Sequence, residues 1–237
     1  MRDLKGKVVV VIGASGGMGQ AICRKLANEE VKMAITSSKP EQLRNLEKFL
    51  ADQGVDVLAE VVDVTKENEI KEFFAKASAK YGRLDILINL PGLSIPAKIS
   101  EMTAEQYNLT MNVNIMAPFL CSKHFIPCVD PEKGGQIINM GSMAAKRANP
   151  NAPLYCTAKA ALNMFSDGMA LQLKENNIRV TTINPGAVDT NFWGEREVPK
   201  EKFLKADDVA DVVLFVLKSN DYIVFHEINF ESFLHFK

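Results

Sequence analysis

Tyr155 and Lys159 stand four residues apart in a segment with a helical pattern, so both side chains leave one face of the helix. An ammonium beside a phenol favours the phenolate and brings the tyrosine towards the working range of a general acid or base. The pair alone says little, because a chain with 4 Tyr and 28 Lys plus Arg makes such spacings readily by chance. Ser142 adds a hydroxyl at the end of the strand-like run Ile137-Ile-Asn-Met-Gly-Ser142, thirteen residues before Tyr155. A hydroxyl placed there can hydrogen-bond an oxygen on which charge develops.

A second group of residues suits an anion. Gly13-Ala-Ser15-Gly16-Gly17-Met18-Gly19 follows the Val-rich run Lys7 to Ile12 and precedes a helical segment. A glycine-rich strand-to-helix turn lets backbone approach a pyrophosphate and aims the positive end of a helix at it. No Gly-Lys-Ser/Thr ending is present, which excludes the nucleoside triphosphate loop.

The elements that must position these groups alternate. Strands are expected at Lys7–Ile12, Val31–Thr36, Val55–Val62, Leu84–Asn89, Gln136–Met140, Ile178–Ile183 and Tyr222–Phe230. Between them lie helices at Gly19–Glu30, after Pro40, at Lys66–Lys80, a long one after Thr103, at Tyr155–Lys174 and at Asp207–Leu217. Strand alternating with helix implies right-handed crossovers and a mainly parallel sheet of seven strands with helices on both faces, a single doubly wound α/β unit. Ligands in such sheets bind beyond the carboxyl ends of the strands, where the strand order reverses.

Length and charge narrow the function classes. In 237 residues with a net charge of −1 and no basic stripe there is no footprint for nucleic acid or an anionic membrane surface. The longest apolar runs are far too short to span a bilayer, and the N-terminus does not read as a secretory signal. Four cysteines (Cys23, Cys121, Cys128, Cys156) without a Cys-x-x-Cys pair suit a reducing compartment, so the cytoplasm is expected. Three scattered histidines give no metal site.

Taken in order along the chain, these motifs resemble the short-chain dehydrogenase/reductase family over essentially the full length. Gly13, Gly17 and Gly19 look like its cofactor loop, Asp63-Val64 like its adenine contact, and Asn89-Leu-Pro91-Gly92 occupies the place of its Asn-Asn-Ala-Gly segment. Asn114 falls where the family keeps an active-site Asn, and Ser142, Tyr155 and Lys159 match its catalytic residues. Pro185-Gly186-Ala-Val188-Asp-Thr190 matches the stretch that holds the nicotinamide. The resemblance implies a Rossmann-type domain over residues 1–237 and hydride transfer between a nicotinamide and a carbonyl or carbinol carbon. Tyr155 would be the proton donor, Ser142 the oxygen's hydrogen-bond partner, Lys159 the ribose ligand that lowers the Tyr155 pKa, and Asn114 the anchor of a water linked to Lys159. Two departures stand out: Ile12 replaces the family's Thr, and Leu90-Pro91 replaces Asn-Ala.

The end of the second strand reads Thr36-Ser37-Ser38-Lys39, with no carboxylate to repel a 2′-phosphate and three groups able to donate to one. NADP(H) is favoured, with NAD(H) as the alternative. A short lid is expected near 191–205, where Phe192 and Trp193 would cover a small carbonyl or alcohol substrate or, for Trp193, pack in the core. Phe230, Phe233 and Phe236 continue into a tail that suggests a homo-oligomer, against the alternative that the tail folds back on its own core. The leading activity is reduction of a ketone, aldehyde or 3-oxoacyl thioester. Oxidation of an alcohol, sugar or hydroxy acid by the same residues is the alternative, and a dinucleotide sensor without turnover is the rival from another class.

Overall fold

The computed structural model describes residues 2–236. Seven strands form one sheet in the order β3-β2-β1-β4-β5-β6-β7: β1 (Val8–Ile12), β2 (Lys32–Ser37), β3 (Val57–Val61), β4 (Ile86–Asn89), β5 (Gly135–Met140), β6 (Ile178–Pro185) and β7 (Glu227–Phe230). Every pairing is parallel. The order reverses between β1 and β4, so the crevice of the switch point opens between Gly13 and Leu90.

The Val8–Ile12 run is apolar at every position because the sheet is covered on both sides. Val9 and Val11 join a layer with α1 (Gly17–Leu26), α2 (Pro40–Asp52) and α7 (Ala206–Leu217). Val8, Val10 and Ile12 join the opposite layer with α3 (Glu67–Tyr81), α5 (Ala117–Phe125) and α6 (Pro153–Gln172). Among the described residues no helix is long and apolar enough to cross a membrane.

Two expected elements come out differently. The long helix after Thr103 is divided into α4 (Ala104–Met111), a π-helical turn at Asn112–Met116, and α5. Pro118 has no N–H for the carbonyl four residues back, and the Asn114 side chain takes the Thr110 carbonyl at 2.8 Å, so the ladder widens there. The last strand begins at Glu227, not Tyr222. Arg179 binds the Asn220 carbonyl and the Asp221 carboxylate, which holds the chain in a turn before it can run along β6.

Candidate active site

The predicted residues gather at the carboxyl ends of the strands. At the end of β1, Gly13 has φ +81, a conformation that favours glycine, and its N–H donates to the Thr36 carbonyl. Gly16 caps α1 without a side-chain bond, so the first-turn N–H groups of Gly17, Met18 and Gly19 have no intrahelical acceptor. A Cβ on Gly19 would lie 2.5 Å from the Ala14 carbonyl oxygen, and one on Gly17 would lie 2.7 Å from Thr190 Cγ2. The glycines thus let the helix start, the loop and the Thr190 segment close on one another. Ile12 is buried, and the Leu90 N–H bonds its carbonyl. The two departures from the family pattern therefore make an apolar floor under the turn.

Ser15 and Ser37 are buried and their hydroxyls bond each other, while the Lys39 N–H donates to Ser37 Oγ at 3.1 Å. Ser38 and the Lys39 side chain project into solvent beyond β2. Asp63 accepts from the Thr65 N–H and hydroxyl, which hold its carboxyl below the usual range, with Lys66 adding to the effect. Val64 packs on the neighbouring apolar layer.

Asn89 spends its amide on Asn139 Oδ1 at 2.9 Å, across the rung that pairs β4 with β5. Asn139 in turn donates to Ser166, and Ser166 to the Leu162 carbonyl, which ties the sheet to α6. Among the described residues Asn89 Oδ1 stays buried without a partner, while Pro91 and Gly92 line the crevice beside it. A Cβ on Gly92 would sit 3.6 Å from Lys159 Nζ and 3.7 Å from Asn114 Oδ1, so these three residues converge. Asn114 is fully buried and its amide nitrogen is divided between the Leu93 and Thr110 carbonyls.

Ser142, Tyr155 and Lys159 meet where β5 runs out and α6 begins. The Ser142 N–H donates to Asn184 Oδ1 at 2.9 Å, and Asn184 is oriented by Asn229 on β7. Neither Asn184 nor Asn229 stands out in the sequence, since an asparagine within a strand has no spacing signal. Burial pushes the Tyr155 phenol up to about 12; the Ser142 hydroxyl, within hydrogen-bonding reach, and the Arg196 charge pull the other way. Lys159 lies with Nζ 5.8 Å from the Tyr155 ring centroid and donates to the Met140 carbonyl at 2.8 Å. Burial pushes its ammonium down to about 7. Burial dominates both groups.

The segment after β6 forms the remaining wall. Gly186 packs against Glu231, whose Cβ would be 2.6 Å from a Cβ placed there. Val188 and Leu204 bridge, pinning the ends of a loop that contains the short turns Asn191–Trp193 and Lys200–Lys202. Phe192 stacks 5.8 Å from Tyr155, Trp193 lies 5.1 Å from Phe203, and Phe203 lies 4.8 Å from His235 of the tail. Trp193 Nε1 donates to the Val188 carbonyl, so the indole anchors the loop while Phe192 faces the tyrosine. Sequence reasoning missed Arg196. Its neighbours Glu195 and Glu197 make it read as part of a solvated charge run.

A separate cavity of about 210 Å³ lies at the opposite, amino ends of the strands, lined by Arg2, Lys7, Asp85, Arg179 and Asp221. These five side chains are committed to ion pairs with one another, and the cavity holds none of the candidate site residues. Among the described residues no cluster could hold a metal ion.

This arrangement is a dinucleotide-type crevice ending in a serine, a tyrosine and a lysine. The family model for short chain dehydrogenase matches residues 7–201, and the chain is an oxidoreductase of the short-chain dehydrogenase/reductase family. It is 31% identical over 229 residues to an uncharacterized oxidoreductase of Staphylococcus saprophyticus, covering 96% of this chain and 98% of that one. An alcohol dehydrogenase of Thermococcus sibiricus, solved with 5-hydroxy-NADP, superposes with a TM-score of 0.91 at 28% identity, covering 98% of this chain and 99% of its own. A short chain dehydrogenase of Burkholderia cenocepacia in complex with NADP gives 0.89 at 27%, covering 96% and 97%.

Proposed function

We propose that the protein is an NADPH-dependent reductase of a ketone or aldehyde. The observation that carries this is the meeting of Ser142, Tyr155 and a buried Lys159 beside a glycine-lined crevice. A bound reduced nicotinamide would supply hydride to the carbonyl carbon. The residues fit such a cofactor on three counts. The α1 terminus offers unpaired N–H groups without an acidic residue in its first turn. The close packing of Gly17 and Gly19 keeps that approach open to a phosphate. Lys159 donates to one protein acceptor, the Met140 carbonyl, and has N–H to spare for a ribose hydroxyl.

Ser142 Oγ would hydrogen-bond the substrate oxygen, steadied by the Ala144 N–H that it accepts. Tyr155 would give its phenolic proton to that oxygen. In that role the phenol must arrive protonated, and burial, which favours its neutral form, keeps it so. Asn114 would hold the Leu93 backbone against Lys159, and any water it anchors would lie on that side.

NADP(H) over NAD(H) is supported by the end of β2, where Ser38 and Lys39 are exposed and no carboxylate stands. The NADP-bound relatives agree with this choice. A homo-oligomer is supported by the exposed Phe233, Leu234 and Phe236 of the tail, although His235 between them folds back onto Phe203. The test is a panel of ketones, aldehydes, oxoacyl thioesters, sugars and hydroxy acids, followed by cofactor absorbance with both nucleotides. Carbonyl reduction with a lower KM for NADPH than for NADH is expected; preference for NADH would overturn the cofactor assignment, and turnover of alcohols alone the direction.

A further inference from the structure

Four arginines are partly buried among the described residues: Arg2, Arg83, Arg179 and Arg196. The first three are matched with carboxylates, Arg2 and Arg179 with Asp221 and Arg83 with Asp85. Arg196 has no carboxylate partner among the described residues, although Glu195 and Glu197 flank it in the chain and lie exposed. Its neighbour across the loop base, Lys205, takes Asp189 instead. A partly buried cation without a counter-ion is free to take an anionic ligand, and the partial desolvation strengthens such a pair.

The guanidinium is held in place. Nε donates to the Trp193 carbonyl at 2.7 Å and Nη2 to the Phe192 carbonyl at 2.5 Å. Its carbon lies 5.5 Å from the Phe192 ring and 5.1 Å from the Trp193 ring, and Phe192 in turn stacks on Tyr155. The fork is thus fixed by two lid carbonyls on the Tyr155 side of the loop, with donors to spare. A fixed guanidinium without a carboxylate partner, with the Phe192 ring between it and Tyr155, is suited to a planar carboxylate on a substrate that reaches past that ring.

We propose that Arg196 binds the anionic end of the substrate, so that the carbonyl compound reduced at Ser142 and Tyr155 carries a carboxylate. This rests on the carbonyl-reductase reading above. It also accounts for a lid that is short, since a charge contact can replace apolar wall.

The test compares 2-oxopentanoate, 4-oxopentanoate and 5-oxohexanoate with their methyl esters, using NADPH and the wild type, Arg196→Gln and Arg196→Lys. The wild type is expected to favour at least one acid over its ester, with kcat/KM higher by roughly ten-fold or more, the worth of a charge-assisted bond. Arg196→Gln should abolish that preference, the acid losing at least about ten-fold more in kcat/KM than its ester, and Arg196→Lys should restore part of it. Acid and ester falling together would show that Arg196 only holds the lid. A raised KM for NADPH with the preference intact would assign the cation to a cofactor phosphate, and either result overturns the proposal. If the wild type reduces uncharged ketones but no acid, the proposal fails and the reductase reading stands; if it reduces no carbonyl compound, both fail. Trp193, the only tryptophan, gives a second readout. A saturable fluorescence change with the favoured acid should vanish in Arg196→Gln, and its persistence would overturn the proposal.

Discussion

The Lys159 ammonium donates to the Met140 carbonyl oxygen at 2.8 Å and passes 5.8 Å from the centre of the Tyr155 ring. The two residues share a helix face as their spacing requires, but the lysine turns into the end of β5 instead of lying along the phenol. Its burial sets its own charge state before it sets the tyrosine's. Folding holds Lys159 near 7 where an exposed lysine titrates at 10.5.

Lys159→Met should therefore raise stability at neutral pH. Above 10.5 neither folded nor unfolded chain holds the lysine proton, and burial costs nothing. Between 10.5 and 7 the unfolded chain holds it and the folded chain does not, so wild-type stability falls as pH falls through that window; below about 7 the difference is constant. Urea unfolding at pH 7 should show Lys159→Met more stable by something on the order of 3 kcal/mol, shrinking towards pH 10. An equal difference at both pH values would contradict the charge argument.

Tyr155→Phe removes one hydroxyl from a ring that Phe192 and the α6 backbone hold in place. The carbonyl oxygen then loses its proton donor. The rate constant kcat should drop about 10²- to 10⁴-fold, the usual worth of a positioned acid. NADPH affinity, measured by fluorescence titration, should stay within about three-fold, since the phosphate loop and Lys159 are untouched. Near wild-type turnover would remove Tyr155 from the proton-transfer role.

Much of this was legible in the chain. The seven strands and their helices follow from periodicity, because a sheet covered on both sides demands unbroken apolar runs such as Val8–Ile12. Ser142, Tyr155 and Lys159 come together because strand ends and helix starts share one edge of a parallel sheet. The direction a side chain takes after leaving its element was not legible. Lys159 bends to Met140, Asn89 turns sideways to Asn139, and Asn114 opens a helix by taking a backbone carbonyl. Arg196 was hidden for the opposite reason. Its two acidic neighbours suggest a solvated run, and only the fold shows that it turns away from both.

Gly19→Ala and Gly168→Ala should move stability in opposite directions. At Gly19 the new methyl would meet the Ala14 and Gly13 carbonyl oxygens at 2.5 and 2.6 Å, both backbone, so the loop must shift. A loss of about 1–3 kcal/mol is expected, together with NADPH binding weaker by about ten-fold or more. Gly168 lies exposed inside α6 with nothing within 4 Å of its added carbon. Alanine there should gain about 0.5–1 kcal/mol by limiting the unfolded chain. Thermal unfolding of the pair checks this; destabilisation by both would mean that helix α6 tolerates less than its open surface implies.

The tail makes a case for self-association that its own ring contacts do not remove. His235 packs on Phe203 and so fixes the tail beside the lid, yet Phe233 and Leu234 remain 84% and 69% exposed. Phe233 and Phe236 stack on each other at 5.5 Å, which makes one apolar patch of two rings instead of two scattered ones. Such a patch, fixed by a neighbouring contact and left open to water, is the kind of surface that a second chain covers. Light scattering at micromolar concentration should give a mass of at least two chains. Phe233→Ser with Phe236→Ser should shift it towards one, with turnover altered if the tail steadies the lid. A wild-type mass of 26.2 kDa would sink the idea and leave the patch as the exposed face of a tail folded onto its own molecule.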